Sequence, residues 1–222
     1  LESVEILEGG VGLLDLRVFV PAETPGAEEA VAQAMDSLSD THALIIDLRR
    51  NTGGEASMVR LLASYLVGPR SVQLSSIYWR PGNATEESWT RRRLRGPRYG
   101  PGRPVYVLTS SRTFSAAEAF AYDMKALGRA VIVGETTGGG AHPAGLEIVS
   151  ERFAVRVPQG RAINPVTGTN WEGTGVAPDV QSGADGALHA AHLAALRALR
   201  AAATRDRRAH LDRLIGQMDG GR

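Results

Sequence analysis

The chain has 222 residues, 43% of them hydrophobic, so it can bury a sizeable core without a disulfide or metal staple. Lysine plus arginine number 25 against 24 aspartate plus glutamate, and a formal charge of +1 offers no global field for nucleic acid or an anionic membrane. Cysteine is absent, which excludes disulfides, thiolate catalysis and cysteine-ligated zinc, and no stretch approaches the ~20 apolar residues of a membrane span.

The first ten residues have neither a basic start nor an apolar signal core, and they run at once into a strand-like segment without an initiating Met. The chain therefore reads as part of a longer one, with an N-terminal segment expected upstream. Residues 11–20, VGLLDLRVFV, are rich in β-prone side chains up to the stop at Pro21, which predicts a strand. Pro25 opens GAEEAVAQAMDSL, whose apolar positions Ala30, Val31, Ala34, Met35 and Leu38 keep the period of a helix. Residues 43–48, ALIIDL, form the short unbroken apolar run of a buried parallel strand; the loop RRNTGGE and a helix over 56–67 follow. Residues 68–104 are dense in Gly, Pro and Arg and predict an irregular excursion with one short strand near 72–78, the natural place for a specificity loop.

Strand, exit loop and helix then recur: 105–109, SSRTF, and 115–127, closed by Gly128. Another short buried strand over 131–134 precedes a glycine cluster, TTGGG, and residues 146–149 with 153–157 read as a hairpin around Ser150, Glu151 and Arg152. From Gly186 the chain is rich in Ala, Leu and Arg and is expected to be helical, with a break near Thr204 or Asp206. The alternation predicts an α/β core over residues 1–185 followed by a helical tail over 186–222, with no internal sequence repeat.

The chemistry concentrates in two strand-exit loops. Ser115 stands where a buried strand hands over to a helix, a place where a side chain is exposed and the helix's first N–H groups point outward. A serine there can be a helix cap, or it can attack a carbonyl while the N–H of Ala116 stabilises the developing oxyanion. A second donor can come from the NTGG turn, where Gly53 or Gly54 lets the backbone approach a substrate closely.

Taken in order, DLRRNTGG at 47–54, VYVLTSSRTFSAAE at 105–118, GRAVIVGETTGGG at 128–140 and GTGVAPD at 173–179 resemble the core of the tail-specific, or C-terminal-processing, serine peptidases. They are also similar to the core domains of tricorn protease and of the interphotoreceptor retinoid-binding protein. The resemblance runs from about residue 11 to about residue 179. It implies a crotonase-like or ClpP-like spiral of ββα units, Ser115 as nucleophile with Glu118 closing its S-x-x-E segment, oxyanion donors at Ala116 and at Gly53 or Gly54, and no cofactor or metal. The lysine of the family's Ser-Lys dyad is missing, because Gly140 occupies its position, and Lys125 lies ten residues along the serine's own helix, out of reach. The branch similar to tricorn uses Ser, His and Glu instead. Glu172 fits the glutamate, and the histidine is expected from the segment upstream of the chain. His142, in GGGAHPA, is a candidate within it, either as base or as a residue lining the cleft.

The function implied is hydrolysis of an extended or C-terminal peptide segment through an acyl-enzyme on Ser115, in a periplasmic or secreted setting. The alternative is a non-catalytic module that binds an apolar ligand such as a retinoid or lipid; acyl-CoA chemistry on the same fold is a third. His189 and His192, at i and i+3, lack an evident third metal ligand. The run RRRLRGPR at 91–98 reads as a solvated loop or a site for acidic substrate ends rather than a nucleic-acid site, given the balanced charge. Trp79, Trp89 and Trp171 read as packing anchors, two of them able to wall a cleft.

Overall fold

A computed structural model describes residues 1–220. Ser3–Leu7 (β1) and Val11–Asp15 (β2) form a hairpin, α1 (Ala27–Ser37) leads to β3 (Ala43–Asp47), and α2 (Ala56–Leu66) leads to a second hairpin, β4 (Gln73–Trp79) and β5 (Ala84–Trp89). The chain returns through β6 (Val105–Thr109), α3 (Ala116–Ala126) and β7 (Val131–Gly134) and makes a third hairpin from β8 (Ala144–Ser150) and β9 (Phe153–Pro158). It ends through β10 (Gly160–Ile163), β11 (Val180–Gln181), α4 (Ala187–Ala201) and α5 (Arg205–Gly220).

The main sheet has the order β1-β2-β3-β6-β7-β11, antiparallel only at the β1/β2 edge. Strands β2, β3 and β6 are buried at all five positions because both faces are covered, as parallel sheets require. Alternate residues serve different cores. Leu14, Leu44, Ile46, Val105, Val107 and Ile132 pack with α1, α2 and α3, whereas Val11, Leu13, Ile45, Tyr106, Leu108 and Val133 pack under α4 and α5. The α/β architecture expected from the alternating pattern is present.

The strand expected over 11–20 stops at Asp15. Beyond it, Leu16 N–H still reaches the Asp47 carbonyl at 3.2 Å, but Phe19 N–H donates to Gly53 O at 2.9 Å and Glu55 N–H donates to Phe19 O at 2.7 Å. The β-prone residues therefore leave the sheet to pair with the glycine turn. The excursion over 68–104 holds two strands rather than one, and β10 joins them in a separate antiparallel sheet of order β10-β4-β5. β4 is the strand expected near 72–78, whereas β5, short, polar and mostly exposed, carries too little apolar periodicity to be read locally. Three arginines of the basic run serve the scaffold: Arg91 and Arg95 pair with Glu28 and Glu29 of α1, and Arg98 donates to the Ser64 carbonyl of α2, while Arg92 and Arg93 are exposed. The tail breaks between α4 and α5 at residues 202–204, where a break is expected.

Candidate active site

Parallel strands deliver their C-terminal ends to one edge of the sheet, so the loops after β3, β6 and β7 meet there. They are laced together directly. Thr113 Oγ1 donates to Leu48 O at 2.8 Å, Ser110 Oγ donates to Arg49 O at 2.6 Å, Phe114 N–H donates to Asn51 O at 3.1 Å and Gly138 N–H donates to Thr113 O at 3.0 Å.

Ser115 caps α3 with φ 53° and ψ −120°, a strained backbone for a residue with a Cβ and of the kind that accumulates at functional sites. The NTGG turn presses against it. A Cβ on Gly53 would stand 2.8 Å from Ser115 Cβ and 3.1 Å from the Ala116 nitrogen, and one on Gly54 would stand 2.0 Å from the Phe19 carbonyl oxygen. Both glycines also hold positive φ, 115° and 134°. Fully buried Asn51 sets the turn by donating to Leu16 O at 2.8 Å and accepting the Gly53 N–H at 2.8 Å. The Gly53 amide is thus committed, while those of Gly54 and Ala116 have no protein acceptor among the described residues.

Glu118 does more than close a motif. It is fully buried; its Oε2 accepts Ser115 N–H at 2.8 Å and Gly140 N–H at 2.9 Å, and its Oε1 accepts the Thr137 hydroxyl at 2.5 Å and Gly139 N–H at 2.7 Å. One carboxylate therefore holds the start of α3 against the glycine cluster. The signal in the sequence is the S-x-x-E spacing of a capping box, which foretells the local bond to Ser115 but not the three distant donors.

Glu172 and His142, thirty residues apart, meet on this cluster. Glu172 Oε2 accepts the backbone N–H groups of Ala141 and His142 at 2.7 and 3.0 Å, and its Oε1 lies 3.8 Å from His142 Nδ1. Gly173 N–H donates to Gly139 O at 2.9 Å and Trp171 Nε1 donates to Gly140 O at 3.2 Å, so the whole segment lies along the glycines. At position 140 a Cβ would stand 2.2 Å from Cζ of Phe114, whose ring fills the space a longer side chain would need. Lys125 is committed elsewhere, to Asp179 at 2.8 Å and the Ala177 carbonyl at 2.7 Å.

A cavity of about 720 Å³ gathers these groups: Gly54, Ser115, Ala116, His142 and Glu172 all line it. Gly53 sits behind them. Trp79 and Trp171 form part of the wall and Trp89 does not, and the excursion contributes Leu74, Ser75, Ile77 and Glu86. His192 lies away from this wall, with Nε2 2.8 Å from the Glu8 carbonyl, and no group of three metal-binding side chains occurs among the described residues. One residue that sequence reasoning misses is Asp123. It is 2% exposed on α3, accepts from Ser75 and Asn164, and burial raises its pKa to about 6.

The fold and this cavity define an α/β domain with a serine-bearing cleft at one edge of its sheet. The model of peptidase family S41 matches residues 10–182, and the chain belongs to that family. Among solved structures it is similar to the photosystem II D1 C-terminal processing protease, at 24% identity and a TM-score of 0.63 over 81% of this chain and 45% of that one. It is similar also to mature CPAF, at 18% identity and a TM-score of 0.62 over 80% of this chain and 48% of that one. Tricorn protease matches at 17% identity and a TM-score of 0.51 over 96% of this chain and 18% of that one. At these identities the likeness is one of fold, and the chain spans less than half the length of each. No described helix is long and apolar enough to cross a membrane.

Proposed function

We propose that the protein is a serine peptidase that cleaves an extended peptide through an acyl-enzyme on Ser115. The observation that carries this reading is the strained Ser115 facing a cavity in which the Gly54 and Ala116 amides have no other acceptor. In the proposed reaction the Ser115 hydroxyl attacks the scissile carbonyl, and its proton passes to a histidine. The oxyanion is held by the Ala116 and Gly54 amides rather than by Gly53, whose N–H is spent on Asn51. Collapse of the tetrahedral intermediate breaks the C–N bond, the amine leaves with that proton, and water then releases the acyl group.

Within this chain the base is His142, steadied by Glu172, and the packing of Phe114 over Gly140 accounts for the absence of a lysine there. The neighbour named for C-terminal processing favours a substrate engaged near its C-terminus. Residues 1–185 form the peptidase core, and the described part of the tail, residues 186–220, lies as helices on the sheet face opposite α1, α2 and α3. A pure carrier of an apolar ligand has no use for a strained serine beside free amides, which is why the peptidase reading is preferred.

The test is fluorophosphonate labelling of the full-length protein. Ser115→Ala is expected to abolish labelling and proteolysis together, and turnover that persists in it places the nucleophile elsewhere. His142→Ala is expected to slow labelling by about a hundredfold or more. An unchanged rate in that variant assigns the base to a residue outside this chain.

A further inference from the structure

Resting on the peptidase reading, the charge and shape of the cavity bear on which substrate side chain it accepts. Ser115, Ala119 and Asp123 follow one another at i, i+4 and i+8, and all three line the cavity. The separation along α3 is about 12 Å at ~1.5 Å per residue, and the helical Cα–Cβ direction leans the Asp123 side chain back toward Ser115. Ala119 between them presents only a methyl group. Val59, Leu74, Ile77 and Ala162 make the remaining walls of this stretch apolar.

The Asp123 carboxylate is unevenly satisfied. Its Oδ1 accepts the Ser75 hydroxyl at 2.6 Å, Ser75 N–H at 3.0 Å and Asn164 Nδ2 at 2.9 Å, whereas Oδ2 shares only that same Ser75 N–H, at 3.2 Å. A buried carboxylate is ordinarily paired with a cation. Among the described residues none pairs with this one, and Arg156, the cavity's sole arginine, makes no bond to it. The lining as a whole is acidic: Glu55, Glu86, Asp123 and Glu172 stand against Arg156 and His142, in a molecule whose formal charge is +1.

We infer that Asp123 terminates a side-chain subsite that takes a lysine or arginine of the substrate, its apolar stem lying over Ala119 and its cationic head on Asp123 Oδ2. Apolar walls ending in a carboxylate match the two halves of such a side chain. The bonds from Ser75 and Asn164 are concentrated on Oδ1, which leaves Oδ2 as the oxygen with acceptor capacity to spare.

The experiment uses full-length protein carrying Ser115→Ala, which prevents turnover, and calorimetric titration with two hexapeptides of alanine bearing lysine or norleucine at the fourth position. The two side chains share a methylene stem and differ by the ammonium group. The lysine peptide is expected to bind about tenfold or more tightly than the norleucine peptide, and Asp123→Asn to bring the two within about twofold. Ala119→Leu, which fills the path without touching the Ser75 and Asn164 bonds, is expected to weaken the lysine peptide comparably, and it decides the matter if Asp123→Asn does not fold. Equal binding of the peptides, no binding of either, or a lysine preference that survives both variants overturns the subsite. Labelling of the wild-type serine reports separately. Its loss with the lysine preference intact sinks the peptidase reading alone, and its retention with equal peptide binding sinks the subsite alone.

Discussion

At the scale of single residues, the two glycines of the NTGG turn have separable roles. Gly54 packs on the Phe19 carbonyl, a rigid backbone neighbour 2.0 Å from where its Cβ would stand, so Gly54→Ala must displace one of two joined segments. The expected cost is about 2–4 kcal/mol in urea unfolding. Gly53 abuts Ser115 itself, so Gly53→Ala pushes on the nucleophile. Its fluorophosphonate labelling is expected to fall by about a hundredfold, since misplacement by ~1 Å is enough to cost that much. Equal stability of Gly54→Ala and wild type, or unchanged labelling in Gly53→Ala, would refute the assignment. Both glycines stand out in the sequence as a Gly-Gly after a strand, but which amide is free was not legible there. That depends on Asn51, whose side chain turns back to take the Gly53 N–H.

At the scale of elements, α3, β4 and the loop after β10 are joined by one buried carboxylate. The pairing of β4 with β5 shifts register between Leu74 and Ile77, and Asp123 accepts the Ser75 N–H within that irregularity. Burial raises the Asp123 pKa to about 6, and the Ser75 and Asn164 bonds only partly oppose the rise. A carboxyl whose folded pKa lies above its unfolded value contributes its full stability below the ordinary aspartate range and loses it as pH rises through the folded value. Relative to Asp123→Asn, the wild type is therefore expected to lose about 2–3 kcal/mol between pH 4 and pH 7, measured by denaturant unfolding at each pH. A pH-independent difference between the two would count against it. The helix bearing Asp123 was plain from its period; the residue's role was not, because Ser75 and Asn164 lie 48 and 41 residues away in the chain.

At the scale of the whole molecule, the sheet has two cores, and the second one depends on the tail. Ala187, Ala191 and Ala195 are fully buried at one-turn intervals, letting α4 lie close over Val11, Ile45, Tyr106 and Leu108, with Leu211 and Leu214 of α5 completing the cover. A variant ending at Gly186 uncovers this face and is expected to bind the dye ANS and to lose its cooperative thermal transition. A soluble truncated protein with an unchanged melting temperature would show the tail to be dispensable. The strand and helix rhythm, the helical tail and the order of four motifs were determined by the sequence alone, because each is written in neighbouring residues as period or spacing. The meeting of His142 with Glu172, the enclosure of the cavity by β4 and β10, and the placement of Asp123 within it were decided only by the tertiary structure. They join residues that are distant in the chain, and the order in which strands pair is set by packing across the whole sheet rather than by any local segment.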